Sequence, residues 1–434
     1  GWVIGRLAIR LGSQNPENAV FNIKRHMDDA NHKVSLGNQE YNPIDISSKT
    51  LSALTDDVYA KYPSGTFEIE GVVVTVPYYF TTMQRRNTQE AAEQTGLHVL
   101  GIIEEPTAAA LAFSLEHKFT PEPQKVLVFD LGGGTFDITI FQVTELSDKI
   151  LFEVLSSGGD CRLGGVDFDD CITQHCVEFF QNEYGIDPLN VDSEKDRAKA
   201  RSLVREMANT AKEDLSAMDD TLIQIPNWLP GKHLEQEITR TEFESLINPW
   251  VEKITKITEN TIETAGLRGR DLNIVLAAGG SSKIPQMRNL IQEITGKEPF
   301  QTDPDLHIAQ GAAIYAAILD GRIEDGKEVE VINRTSHSLG VGTDSGRFEV
   351  LIPANRPAPT KAKKVFYTTK TEEDIDVYEG SAATIDKNTK IGTVKVRGIK
   401  PPDDLYITFE VSRNREISVL IKGTDIFETK TLTG

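Results

Sequence analysis

Asp130 and Asp137 flank Gly132, Gly133, Gly134 and Thr135 in the segment VLVFDLGGGTFDITIF, residues 126–141. Glycines carry no Cβ, so the amides of a triple-glycine turn can approach an anion closely and point at it together. Thr135 adds a hydroxyl. A glycine turn alone need bind nothing, and the flanking acids are what indicate a charged ligand. Carboxylates beside phosphate require a hard cation between them, and Mg²⁺ held largely through water suits two aspartates at strand ends. The segment fits neither G-x-x-x-x-G-K-[ST] nor G-x-G-x-x-G, which disfavours the P-loop and Rossmann readings. The pattern predicts a hairpin that takes phosphate on its turn.

The elements that must position this turn are legible on both sides of it. Val126, Leu127, Val128 and Phe129 read as a buried strand, and Phe136, Ile138 and Ile140 alternate with Asp137, Thr139 and Phe141 as a second. Upstream, residues 71–77 are a β-branched strand ended by Pro77, and residues 85–95 a helix closed by Gly96. Residues 102–110, IIEEPTAAA, lead into a further helix. Downstream, residues 193–215 form an amphipathic helix with Leu203, Met207 and Ala211 on one stripe and Ser193 with Asp196 at its start. Thr241 with Glu244 predicts a capping box for a helix running toward Ala265. Residues 274–285, IVLAAGGSSKIP, read as a strand, a Gly-Gly turn and a helix start, suited to an anion or a ribose edge. Strands alternating with helices define an α/β class. From Ser338 onward the period becomes two, through Phe348, Val350 and Ile352, Ile375 and Val377, Leu405 to Val411, and Ile417 to Ile421. That change predicts an all-β sandwich.

With 434 residues and 39% hydrophobic content, the chain can bury a sizeable core and form two or more domains. Acids outnumber bases 66 to 46, and the formal charge of −20 argues against nucleic acid or an anionic membrane as the main partner. Three cysteines, Cys161, Cys171 and Cys176, argue against a disulfide scaffold and for a reducing, cytoplasmic compartment. Cys171, His175 and Cys176 read as a half-buried helix face rather than a metal set. The sequence starts at Gly1 and Trp2 without a methionine, so the beginning of a longer chain is expected to be absent.

DLGGGTFD resembles the second phosphate loop of the seventy-kilodalton heat-shock (DnaK-type) chaperones. VVVTVPYYFTTMQRR at 72–86, IIEEPTAAALAFSL at 102–115, GDCRLGGVDFD at 159–169 and GGSSKIP at 279–285 follow the same family order. The resemblance implies an α/β actin-like ATPase domain with ribonuclease-H-like lobes over residues 1–322, a linker at 323–335, and an all-β sandwich peptide-binding domain at 336–434. It implies ATP or ADP with Mg²⁺ as cofactors. Gly132, Gly133, Gly134 and Thr135 would hold phosphate, and Asp130 and Asp137 would order the waters of the metal. Glu105 would assist the attacking water. Asn209, Lys212, Glu213 and Ser216, with Gly279, Gly280, Ser281 and Lys283, would frame the adenosine. Asn209 and Glu213 depart from eukaryotic members, and Lys283 replaces an arginine whose planar guanidinium it lacks. Pro77 and Arg85 would relay nucleotide state. Asp344, Phe366, Thr369 and Glu373 would line the peptide cleft. Asp344 and Glu373 stand where the family carries methionine and valine, which predicts a preference for basic side chains.

The function so implied is an ATP-regulated chaperone that binds unfolded polypeptide segments as a monomer, paced by a J-domain co-chaperone and a nucleotide exchange factor. Two features favour an alternative, a non-catalytic or weakly catalytic chaperone-like interaction protein. The family's first phosphate hairpin, Asp-Leu-Gly-Thr-Thr, lies N-terminal to anything present, and the helical lid would follow Gly434. Alignment also puts Ile9 where most members carry a lysine that orients the attacking water, as in the HscC-like branch. An actin-type sugar kinase or cytoskeletal protein shares the hairpin but predicts no sandwich after residue 336.

Overall fold

The computed structural model describes residues 2–29, 31–62, 67–117, 120, 122–191, 193–301, 306–322, 328–413 and 415–432. α1 (Arg6–Gln14) leads through two 3-10 turns to a small hairpin, β1 (Val34–Leu36) with β2 (Gln39–Tyr41), and then to α2 (Pro43–Lys61). β3 (Val72–Val76) stops at Pro77 and pairs in parallel with β4 (Val99–Glu104), with α3 (Thr82–Glu93) between them and α4 (Glu105–Glu116) after. A capping box of Thr81 and Gln84 starts α3 ahead of the 85–95 span, because the hydroxyl of Thr81 already accepts the amide of Gln84.

β5 (Gln124–Leu131), β6 (Phe136–Glu145) and β7 (Lys149–Asp160) form an antiparallel meander. α5 (Gly165–Tyr184), α6 (Glu194–Leu215), the hairpin β8 (Asp220–Leu229) with β9 (Lys232–Thr239), and α7 (Arg240–Thr264) follow. The chain then adds β10 (Ile274–Ala278) in parallel beside β5, and α8 (Pro285–Thr295) leads to β11 (Phe300–Gln301) beside β10. α9 (His307–Leu319) crosses α4 where Gly311 meets Ala108, and a Cβ there would lie 1.9 Å from the Ala108 carbonyl oxygen. β12 (Glu328–Ile332) closes the far edge beside β7. The sheet order is β11-β10-β5-β6-β7-β12.

Both faces of this sheet are covered, and alternation along a strand decides which residue meets which layer. Leu127, Phe129, Phe136 and Ile138 face a core shared with Phe168 and Ile172 of α5 and Val204 of α6. Val126, Val128 and Phe141 face Ala109, Leu111 and Phe113 of α4. A fully buried side chain of this kind contributes about 1.5–3 kcal/mol. The hairpin is therefore held rigidly at the centre of the sheet, with its turn projecting at one end.

Two expectations about boundaries change. The capping box of α7 is Thr239 with Glu242, not Thr241 with Glu244, because the last residue of β9 is itself the cap. Within the expected linker, residues 328–332 are the edge strand β12, whose Val329 and Val331 pack on the core beneath α4. Residues 323–327 lie outside the described residues.

The remaining strands are β13 (Ser338–Gly342), β14 (Phe348–Ile352), β15 (Thr360–Thr368), β16 (Glu372–Gly380), β17 (Thr389–Arg397), β18 (Asp403–Val411), β19 (Ile417–Lys422) and β20 (Phe427–Thr431). They form two four-stranded sheets, β14-β13-β16-β17 and β15-β18-β19-β20, which enclose Leu339, Val377, Leu405, Ile407, Phe409 and Val419. Actin-like lobes are thus followed by a β-sandwich. Val350 breaks the inward alternation and is exposed, opposite a register shift in β13. The sandwich docks on the first part of the chain. The amide of Thr82 donates to Glu379 Oε2 at 2.7 Å, the Tyr78 hydroxyl donates to the Arg334 carbonyl at 3.0 Å, and Arg415 donates to Glu104 Oε1 at 3.2 Å. Among the described residues no helix is long and apolar enough to cross a membrane.

Candidate nucleotide site

Antiparallel pairing of β5 with β6 sets Asp130 directly opposite Asp137, at the point where the strands run into the glycine turn. The Gly132 amide closes the turn on the Thr135 carbonyl at 3.0 Å. The start of α5 lies against this turn, with the amides of Gly165 and Val166 donating to the carbonyls of Gly132 and Gly133 at 3.0 and 2.8 Å. Only glycine permits that approach: a Cβ on Gly164 would sit 2.7 Å from the Gly134 nitrogen. Gly279, at φ +78°, brings the loop after β10 equally close, and a Cβ there would lie 2.4 Å from the Leu131 carbonyl.

Two basic residues reach the hairpin from the other side, and neither was singled out by spacing. Lys24 Nζ donates to Glu105 Oε1 at 2.7 Å. Arg25 Nε donates to the Gly134 carbonyl at 2.8 Å, and its Nη2 pairs with Asp167 at 2.6 Å. Both come from the 3-10 turn Ile23–His26. Lys24 is the lysine beside Glu105, whereas Ile9 is exposed on α1 and lines a groove against α6 that also takes in Val166, Asp169 and Asn209. Only proximity in space to Glu105 identifies Lys24, and no sequence period carries that.

The electrostatics of the site are dominated by acids. Burial, reinforced by Glu105 and opposed by Lys24, pushes the Asp130 carboxyl up to about 7. Burial, Glu105 and Asp130 together hold Asp137 well above the ordinary range, although it accepts the Tyr79 amide at 2.9 Å. Desolvation works against the charge of Lys24, yet Glu105, Asp137 and Asp130 hold its ammonium above the usual lysine value. Its side chain is 47% exposed, so solvent moderates these effects. Two buried carboxylates facing one another with a single nearby ammonium are short of positive charge, and a divalent cation fits that need. Among the described residues no three His, Cys, Asp or Glu side chains converge to hold an ion directly. The carboxyls of Asp130 and Asp137 are the residues that would hold such a cation.

The residues expected around adenosine divide. Lys212 and Ser281 meet at the hairpin: a Cβ on Gly165 would lie 2.5 Å from Ser281 Oγ and 3.0 Å from Lys212 Nζ. Ser281 Oγ donates to the Gly132 carbonyl at 3.0 Å. Lys212 pairs with Asp169 at 2.7 Å, where burial, opposed by Lys212, pushes the Asp169 carboxyl up to about 6. Asn209 bonds both Lys212 and Glu213, and Ser216 donates to the Lys212 carbonyl. Gly280 and Lys283 are exposed on the loop after β10.

Outside this site, Arg85 donates to Glu104 Oε1 at 2.9 Å and is not a solvated helix residue. In the sandwich, Asp344 lies in the β13–β14 turn, Thr369 in the β15–β16 turn, Phe366 on β15 against the core, and Glu373 on β16. Asp344 and Glu373 are joined by Lys370, whose Nζ lies 3.5 Å from one and 3.3 Å from the other. No motif or spacing in the sequence marks Lys370.

Lobes of this topology with a two-aspartate glycine hairpin, followed by a β-sandwich, define an actin-like nucleotide-binding class with a second domain attached. Residues 2–420 match the family model described as Hsp70 protein, and the chain belongs to that family. It is 35% identical over 429 residues to proteins described as chaperone protein DnaK from two strains of Halobacterium salinarum, covering 96% of this chain. The chain spans 65% of the length of those relatives.

Proposed function

We propose that the chain is the core of an ATP-dependent chaperone in which nucleotide at the β5–β6 hairpin controls the grip of the sandwich on unfolded polypeptide segments. The observation that carries this reading is the pairing of Lys24 with Glu105 beside Asp130, Asp137 and the glycine turn. Gly132, Gly133, Gly134 and Thr135 cradle the phosphates of ATP or ADP. Glu105 orients the attacking water, and Lys24 both fixes that carboxylate and meets the negative charge of the transferring phosphoryl group. Mg²⁺, when bound, neutralises phosphate charge. Phosphoryl transfer of this kind rests on positioning and charge stabilisation. Lys212 and Ser281 hold the adenosine end, with Lys283 closing it more weakly than an arginine would.

The docked sandwich supplies the second half of the reading. Tyr79 donates its amide to Asp137, and its ring lies 4.3 Å from that of His337, which faces Glu379 on β16. A change at Asp137 therefore reaches a strand of the peptide-binding sheet through packed groups. Pro77, just after β3, and Arg85, on α3, flank this path. Asp344 and Glu373 favour basic side chains in the bound segment. A J-domain co-chaperone and an exchange factor complete the cycle, with the protein acting as a cytoplasmic monomer. Steady-state ATP turnover with Mg²⁺, compared between the wild type and Glu105→Ala, tests this function; turnover unchanged by the substitution would contradict it.

A further inference from the structure

A cavity of ≈ 360 Å³ opens between the domains, away from the hairpin, bounded by α3, β4, α9 and the β18–β19 loop. Three guanidinia line it: Arg85 and Arg86 from α3, and Arg415 from the sandwich. Arg85 and Arg415 both donate to the same oxygen, Glu104 Oε1, at 2.9 and 3.2 Å. One carboxylate therefore serves two buried cations, and their side chains keep only 16% and 8% of their surface exposed. Arg86 stands exposed at the mouth and pairs with no carboxylate among the described residues. Glu416 is the other acid of the lining, and it is exposed. Positive charge is thus in excess where solvent is least able to screen it.

Two further observations concern the same space. Thr107 and Asn333 line the cavity, and their buried Oγ1 and Oδ1 atoms have no hydrogen-bond partner among the described residues. Such atoms are costly unless a ligand or water meets them. The Thr107 hydroxyl can donate, and the Asn333 amide can donate once turned over. Arg415 also holds a left-handed backbone, φ +66°, which a long side chain adopts only when its surroundings over-determine it.

We propose that this cavity binds the phosphoryl group of a small organic phosphate, which bridges Arg415 of the sandwich to Arg85 and Arg86 and thereby favours the docked arrangement. Guanidinium forks match phosphoryl oxygens in geometry as well as charge. The volume exceeds what a bare phosphate fills and falls at the small end of metabolite sites, which run from roughly 300 Å³ upward. None of the three arginines lines the hairpin, so the site stands apart from nucleotide binding.

Calorimetric titration of the whole chain with glycerol phosphate, and separately with inorganic phosphate, tests the site. Glycerol phosphate should bind more tightly, and Arg86→Ala and Arg415→Ala should each weaken it about tenfold, the loss expected for one charge-assisted contact. Arg86→Ala guards against misfolding as the explanation, because that side chain is exposed and pairs with no carboxylate among the described residues. Lys24→Ala should leave this binding unchanged. Absence of binding, or binding lost in Lys24→Ala and retained in both arginine variants, would overturn the proposal and place the anion at the hairpin.

Discussion

Lys24 Nζ lies 2.7 Å from Glu105 Oε1, joining the 3-10 turn Ile23–His26 to the first residue of α4 beside the phosphate hairpin. In the proposed function, an ammonium so placed would stabilise charge that develops on a transferring phosphoryl group. Lys24→Ala should lower the single-turnover rate of ATP hydrolysis by roughly a hundredfold to a thousandfold, the usual cost of one preorganised electrostatic group, while leaving ATP affinity within about tenfold. A rate equal to that of the wild type would remove Lys24 from the mechanism.

The raised carboxyls make the site sensitive to pH. Asp130 titrates at about 7 in the folded chain against 3.8 ordinarily, so between those values the folded state binds the extra proton. Its contribution to stability therefore falls as pH rises through that window. Chemical denaturation without Mg²⁺ should show stability declining from about pH 4 toward about pH 7, and Mg²⁺ with nucleotide should bind more tightly as pH passes about 7. The Asp130→Asn variant, which keeps the raised carboxyls of Asp137 and Asp169, should show a shallower decline than the wild type; identical profiles would contradict the assignment.

Glu379 ties the sandwich to α3. Burial would raise its carboxyl, but His337, the Thr82 amide and Arg415 outweigh burial and hold it below the usual glutamate range. Glu379→Ala leaves the Thr82 amide unpaired at the interface, at a cost of about 1–3 kcal/mol. The docked arrangement should loosen, and small-angle scattering should report a larger radius of gyration; Glu379→Gln, which keeps an acceptor oxygen, should lie between. An unchanged radius for the alanine variant would show that other contacts suffice.

Lys370 Nζ lies between Asp344 and Glu373, the two acids proposed to select basic peptide side chains. Lys370→Ala should strengthen the preference for lysine- and arginine-bearing peptides on a library array, and Asp344→Met should shift it toward leucine. Equal binding of acidic and basic peptides by all three proteins would refute a role for these acids.

Much of this architecture is readable before any coordinates. The triple glycine between Asp130 and Asp137, and the change of period after Ser338, fix the hairpin and the sandwich because each is a local pattern of side-chain direction. Pairings between distant segments are not local. Lys24 meets Glu105, and Arg415 meets Glu104, only through the packing of whole elements, so neither spacing nor composition marks them. Ile9 and Lys24 show the same limit: alignment places a residue by its position along the chain, whereas the 3-10 turn after Asn22 is what brings Lys24 to Glu105. β12 was similarly hidden, since Val329, Val331 and Ile332 read as a connector until β7 offers an edge to pair with.

The central claim is that the β5–β6 hairpin takes the phosphates of ATP with Mg²⁺. Calorimetric titration of ATP and Mg²⁺ into the wild-type chain and into Asp137→Ala tests it most directly. Saturable, Mg²⁺-dependent heat in the wild type that is weakened in the variant is the predicted result. No saturable heat in the wild type, or equal affinity in both, would contradict it.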